Sequence, residues 1–198
     1  MQKPNNFDNT TASGDFIPIE LGGHTAIIKR VQESTNKNGK PMVIAAIDFD
    51  QYDVQPGYFT KQFEADTRDE KKWPYQGMQW ITTEDNDGNC SRSFKTFISC
   101  VEKSNNSQCV WGDGFEAWFK GKKIGVVYGE NEEEYDGEVK TRRKIRYFCQ
   151  YDKAKAAAVP DKKFLQTEKR QERPAASAAS EMNKWVSVTE GASEEIPF

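Results

Sequence analysis

Ser91-Arg92-Ser93-Phe94-Lys95-Thr96-Phe97-Ile98-Ser99-Cys100-Val101 is the stretch whose reading decides the fold. A hydroxyl at Ser91 or Ser93 can accept from the unpaired N–H groups of a first helical turn. Phe94, Phe97, Ile98 and Val101 then fall on one apolar stripe, which predicts a core-facing helix ending near Ser104-Asn105-Asn106. The segments on either side read differently. Before the helix come three predicted strands, over 24–33, 42–49 and 78–83, and after it two more, over 122–129 and 140–151. Strand, strand, strand, helix, strand, strand is the order of the OB-fold, a five-stranded Greek-key barrel that binds single strands across its second and third strands and adjoining loops. The expected fold class is therefore mainly β, a five-stranded OB-fold barrel with the helix plugging one end.

The first two strands are joined by 34–41, where Asn38-Gly39 supplies the positive-φ positions of a hairpin turn. Strict alternation along the first strand places Thr25, Ile27, Lys29 and Val31 on one face and Ala26, Ile28 and Arg30 on the other. Phe59 and Phe63, with Thr67, recur at spacing four, so 58–71 reads as a short amphipathic helix or an ordered loop inserted before the third strand. Glu-rich 130–138 reads as a charged loop. Asp85-Asn86-Asp87-Gly88-Asn89 resembles the start of a calcium loop, but the twelfth position is Thr96 rather than Glu, and a plain turn is the reading.

Hydrophobic residues make up 36% of the 198 and charged ones 30%, lean for a fully packed chain, so part of it is expected to be disordered. The composition divides the chain into a flexible 1–14, a folded 15–151, an Ala- and Pro-containing linker 152–193 and an acidic tip 194–198. No apolar run is long enough for a membrane span and no signal segment opens the chain, which implies a cytoplasmic protein with no membrane partner. Four cysteines without C-x-x-C pairing and a lone His24 predict no metal and no cofactor. No nucleotide-binding loop, nucleophile elbow or zinc-protease motif occurs, so no catalytic set is expected. Asp48, Asp50 and Asp53 are the densest carboxylates, and a metal-dependent nuclease built on them is one alternative. An OB-like protein-interaction adaptor is the other.

Net charge is −3, so any nucleic-acid surface must be a local patch. The fifth strand supplies one: Arg142, Lys144 and Arg146 alternate onto one face with Phe148, while Ile145, Tyr147 and Cys149 share the other. Cations beside an aromatic suit a sugar-phosphate backbone and a stacked base. The competing reading is a solvated face balancing Glu132, Glu133 and Glu134. Lys29, Arg30, Lys37 and Lys40 around the first hairpin, Trp80 on the third strand and Tyr135 at the acidic loop complete the candidate DNA-binding set.

Two resemblances bear on this set. Glu194-Glu195-Ile196-Pro197-Phe198 resembles the C-terminal tip of bacterial single-stranded DNA-binding proteins, an acidic run closing in Ile-Pro-Phe. It implies that Ile196, Pro197 and Phe198 dock in an apolar pocket of replication and repair enzymes, with Glu194 and Glu195 on its basic rim. The hairpin from Gly22-Gly23-His24-Thr25-Ala26-Ile27-Ile28-Lys29 to Asn38-Gly39-Lys40-Pro41-Met42 is similar to the opening of a phage-encoded family, suspected single-stranded DNA-binding proteins of Gram-positive phages and prophages. It implies an OB barrel acting in phage DNA replication or recombination in the bacterial host cytoplasm. Whether the chain forms a homo-oligomer is left open.

Overall fold

A computed structural model of the protein describes residues 1–5, 7–9 and 17–165. Five strands form one antiparallel sheet: β1 (Gly22–Thr35), β2 (Pro41–Phe49), β3 (Met78–Thr82), β4 (Lys123–Tyr135) and β5 (Glu138–Cys149), in the spatial order β3-β2-β1-β4-β5. Among the described residues there are four α-helices. α1 (Tyr58–Ala65) precedes β3, α2 (Arg92–Asn105) and α3 (Phe115–Trp118) lie between β3 and β4, and α4 (Tyr151–Ala154) follows β5. The fold is mainly β, with the expected helix between the third and fourth strands.

α2 starts where the sequence says it should. Ser91 Oγ accepts from the backbone N–H of Phe94 at 3.2 Å, and Asn106 closes the helix in the left-handed region. Phe94, Phe97, Ile98 and Val101 are buried. Phe97 stacks on Phe119 at 5.3 Å and meets Phe148 at 5.1 Å, which ties the helix to both sides of the core. Each such ring is worth about 1.5–3 kcal/mol. α1 stops at Ala65, short of the predicted 71, because the Asp66 carboxylate accepts from the Arg68 backbone N–H at 3.1 Å and turns the chain.

Two strands switch faces part-way. In β1 the register against β2 slips between Ile28 and Arg30, leaving Lys29 as a bulge. Ala26 and Ile28 point inward before the bulge, and Val31 points inward after it. Strict alternation therefore misplaces Val31 and Arg30. The same happens on β5. Val127 pairs with Tyr147 and Tyr128 with Ile145, so Arg146 has no register partner. Ile145 and Phe148, three positions apart, are both buried, at 7% and 4% exposure. The expectation that Phe148 lies beside the cations is corrected by this bulge. Phe148 belongs to the core.

The expected acidic loop 130–138 is strand instead. Glu132, Glu133 and Glu134 pair with Thr141, Lys140 and Val139, and only Asp136 and Gly137 turn, both at positive φ. Asp-Gly is the signature of a two-residue hairpin turn, so this correction was available in the sequence.

The packed chain also continues past the expected boundary at 151. Ala154 of α4 is fully buried against Gly23 and Gly125. Further on, Lys163 bridges Asn131 in parallel, donating to Glu130 O while Glu132 N donates to Lys163 O, each at 2.8 Å. This strap covers part of the β4 edge that β1 leaves unpaired. The rest of the linker and the tip Glu194–Phe198 lie outside the described residues.

Beneath α4 sits a buried polar network. His24 lies between Asp53 (Nδ1 to Oδ1, 2.8 Å) and the Glu20 carbonyl (Nε2, 3.0 Å), stacked on Phe49 at 4.1 Å. Asp53 also accepts from Thr25 N and Gln55 N, while Asp50 accepts from Thr25 Oγ1, Tyr52 N and the Tyr151 hydroxyl. Burial pushes the Asp53 carboxyl up, but the hydrogen bonds from His24, Gln55 and Thr25 together outweigh it and hold the group below its ordinary 3.8.

Asp53→Ala should cost about 3 kcal/mol in urea unfolding, since it orphans buried donors. In the wild type this contribution is present above about pH 4 and is lost as pH falls through the lowered Asp53 value. An unfolding midpoint unmoved by the substitution would contradict the assignment. Gly23→Ala tests the docking of α4, because a Cβ there would overlap the Ala154 carbonyl. Limited proteolysis should cut the variant near 151–165, where the wild type resists, while the sheet stays intact.

Candidate nucleic-acid interface

The inner face of β2 carries buried Val43, Ala45 and Ile47, so Ile44 and Ala46 face outward. Register sets Trp80 of β3 beside Ile44, Met78 beside Ala46, and Arg30 of β1 on the other side of Ala46. β3 is short, and the 3₁₀ turn Tyr75–Gly77 before it decides what lies next to Trp80. Gln76 fixes that turn: its amide donates to Arg143 O at 3.2 Å, and its carbonyl accepts from the buried Tyr128 hydroxyl at 2.7 Å. Gly77 is needed there because any side chain would overlap the Phe59 and Trp73 rings, 2.8 Å from where its Cβ would sit.

The turn places the Tyr75 ring 4.9 Å from Trp80, inclined by 32° and 54% exposed. Lys144 of β5 reaches across, its ammonium 5.1 Å from the Tyr75 ring centre and 3.3 Å from the hydroxyl. Arg142 follows on the same face, with its guanidinium 5.6 Å from the exposed Tyr135 ring; Lys140 approaches that ring at 5.4 Å. Trp80 and Tyr75, then Lys144 and Arg142, then Tyr135 thus form one row, two rings and a third separated by a pair of cations, from β3 to the tip of the β4–β5 hairpin. A groove of about 1320 Å³ opens beside Trp80 and Tyr75. Trp73 and Met78 line it, and Lys61, Arg68 and Lys72 stand along it. Arg68 is held by Asp66 at 2.6 Å, and the hydrogen bonds from Arg68 keep the Asp66 carboxyl well below the usual carboxylate range.

The cations of the row are not bare. Glu133, on the same face of the hairpin, contacts the Lys144 ammonium and lies 4.0 Å from Arg142. Of the carboxylates anticipated from the sequence, Glu133 balances Lys144 and Arg142, and Glu132 pairs instead with Lys162; the cations still border exposed Tyr75 and Tyr135.

Of the residues predicted from sequence, the fold brings Trp80, Lys144, Arg142 and Tyr135 into the row and sets Arg30 on the adjoining outer face. It does not bring the others. Arg146, the bulge residue, donates to Glu130 O, Asn131 Oδ1 and Asp161 O and clasps the strap. Lys29 lies 3.9 Å from buried Asp48, Lys40 donates to Asp85 O and Asn86, and Lys37 is exposed in the β1–β2 turn. Tyr75, the link of the row, was missed by sequence reasoning. Its signal was a Pro-Tyr turn directly ahead of a strand. Lys61, Arg68 and Lys72 were missed because charges in an insertion look like a solvated surface.

The carboxylates of the nuclease alternative serve the fold. Asp48 accepts from Phe49 N, Phe59 N and Thr60, and Asp50 and Asp53 belong to the buried network. Asp85 closes its own turn by accepting from Asp87 N and Asn89 N. Among the described residues no group of three His, Cys, Asp or Glu side chains is placed to hold a metal ion, and no helix is long and apolar enough to cross a membrane.

In comparisons with known proteins, no family model and no curated protein matches the chain. The geometry carries the argument.

Arg146→Ala should act on the fold and not on the row. Losing its three acceptors should speed hydrogen exchange at Lys163 and Glu132 and cost about 1–2 kcal/mol, with oligonucleotide affinity changed less than about twofold. A large affinity loss with unchanged exchange would return Arg146 to the binding surface.

Proposed function

We propose that the chain binds single-stranded DNA, with little sequence preference, on the outer face of β2 and β3 and along the β4–β5 hairpin. The observation that carries this reading is the row from Trp80 to Tyr135, in which half-buried Trp80 and exposed Tyr75 are joined to exposed Tyr135 by the cations Lys144 and Arg142. Every base has a face to stack, and the phosphates that span from Tyr75 to Tyr135 would meet Lys144 and Arg142. Such a row accepts a strand without reading its sequence. A duplex hides those faces. The strand order β3-β2-β1-β4-β5 with a helix between β3 and β4 supports an OB-fold, in which this is the expected ligand side. Contacts of Gln76 with Arg143 and Tyr128 support closure of the sheet into a barrel across the β3 and β5 edges.

The setting we propose is phage DNA replication or recombination in a bacterial host, as the resemblance of the first hairpin implies, with no catalytic step assigned to the chain. The terminal Glu-Glu-Ile-Pro-Phe would recruit a host enzyme, leaving the folded part to hold DNA.

Fluorescence anisotropy with labelled oligo-dT tests the binding. Tyr75→Ala and Trp80→Ala should each weaken it by ~1–2 kcal/mol, roughly five- to thirtyfold, the range of one lost stacking platform. Affinity should fall with salt, and reversing Arg142 and Lys144 to Glu should cost more than tenfold, roughly, at low salt. Oligo-dT binding that survives all three changes would refute the surface. Deleting Ile196-Pro197-Phe198 should abolish capture of a tip-docking enzyme while leaving oligo-dT affinity within about twofold, because so short a peptide holds most of its buried apolar area in those residues. Unchanged capture would remove the recruiting role.

A further inference from the structure

We infer that Glu133 is a specificity-determining residue that makes the surface select unstacked bases over phosphate alone. This rests on the single-strand reading above and deepens it. Glu133 touches Lys144 and lies 4.0 Å from Arg142, the two cations that separate the aromatics of the row. It stands on the same face as they do, because β4 and β5 pair in register and Glu133 sits opposite Lys140, two positions from Arg142. Its acidic neighbours Glu130, Glu132 and Glu134 lie on the other face, across from Arg143, Thr141 and Val139. Glu132 pairs with Lys162 of the strap at 3.1 Å, Arg143 lies 3.9 Å from Glu130, and Glu134 makes no ion pair among the described residues. Glu133 is thus the carboxylate set against both Lys144 and Arg142, while Glu138 at the hairpin end lies 3.1 Å from Lys140.

The consequence is a competition. A phosphate approaching Lys144 or Arg142 exchanges one anion for another, so the charge gained on binding is small and the counterion contribution is reduced. A duplex offers this surface little besides phosphate, since its bases are stacked inside. A single strand adds base stacking on Trp80, Tyr75 and Tyr135, and that gain does not depend on displacing Glu133. A flexible single strand seated on the rings can route its phosphates past Lys144 and Arg142, whereas a rigid duplex has only its phosphates to offer there, so the carboxylate penalises the duplex more than the single strand. This is discrimination by weakening the wrong partner, and it suits a protein of net charge −3 that must not coat duplex DNA.

The test compares the full-length wild type with E133Q and E134Q, using oligo-dT and a blunt mixed-sequence duplex of equal length. E133Q keeps the shape of the side chain and removes its charge. E134Q removes the same charge from the neighbouring position on the opposite face, so it controls for net charge. Circular dichroism and melting verify that both variants fold. The expected result is that E133Q tightens duplex binding roughly tenfold at low salt and oligo-dT binding less than about threefold, with a duplex salt slope steeper by about 1–2. E134Q should leave the preference for single strands as in wild type. A single-strand preference unchanged in E133Q, or reduced equally in E134Q, overturns the role of Glu133 while the binding surface stands. Failure of the wild type to bind oligo-dT overturns the surface and this inference together.

Discussion

The bulge at Arg146 is the constraint on which the row of rings and cations depends. A regular β5 could not bury both Ile145 and Phe148, because odd spacing puts them on opposite faces. Slipping one residue against β4 turns both inward, and Phe148 then closes on Phe97 of α2. On the hairpin side of the slip, the outward positions are Lys144 and Arg142. The slip therefore sends one end of β5 into the core and aims the other at Tyr75. Arg146, displaced from the pairing, finds acceptors in Glu130, Asn131 and Asp161, so the irregularity is itself held by the strap that follows α4. The bulge at Lys29 does the same for β1, letting Ala26, Ile28 and Val31 all reach the core and turning Arg30 toward the outer face.

Polar groups do the remaining positioning. The insertion between β2 and β3 has little regular structure, yet it carries one wall of the groove. It is anchored at its start by Asp48, which accepts from Phe59 N and Thr60, and by the Asp50 and Asp53 network. Near its end, Trp73 Nε1 donates to Ile47 O at 3.1 Å, and Gln76 spans to Arg143. These are buried or half-buried bonds whose loss leaves unpaired groups, so they fix the loop together with the packing of Tyr58, Phe59 and Trp73 on the core. The carboxylates that look catalytic by density are thereby explained as loop anchors.

Much of the fold was legible in the sequence, and the reasons for the failures are specific. α2 could be read because cap, stripe and terminator agree within one turn of each end. β1, β2 and β3 could be read because alternation and the Asn38-Gly39 turn agree. The facing of Val31 and Phe148 could not, since a bulge is decided by two strands jointly and leaves no period in either. Glu132, Glu133 and Glu134 were read as loop on low strand propensity, and cross-strand pairing to Thr141, Lys140 and Val139 overrides it. Of the site, the cations and Trp80 were visible as residues, but their junction through Tyr75 was not. That junction joins residues far apart in sequence, and only the turn held by Gln76 brings them together.

In the proposed binding mode one continuous row, from Trp80 through Tyr75 to Tyr135, receives the bases. Ultraviolet crosslinking of the full-length protein to oligo-dT, followed by peptide mass spectrometry, reads this directly, because adducts form on the rings that bases touch. Adducts are expected on Trp80, Tyr75 and Tyr135. Adducts confined to Trp111 and Tyr52, exposed aromatics outside the row, would contradict it and place any DNA on another face.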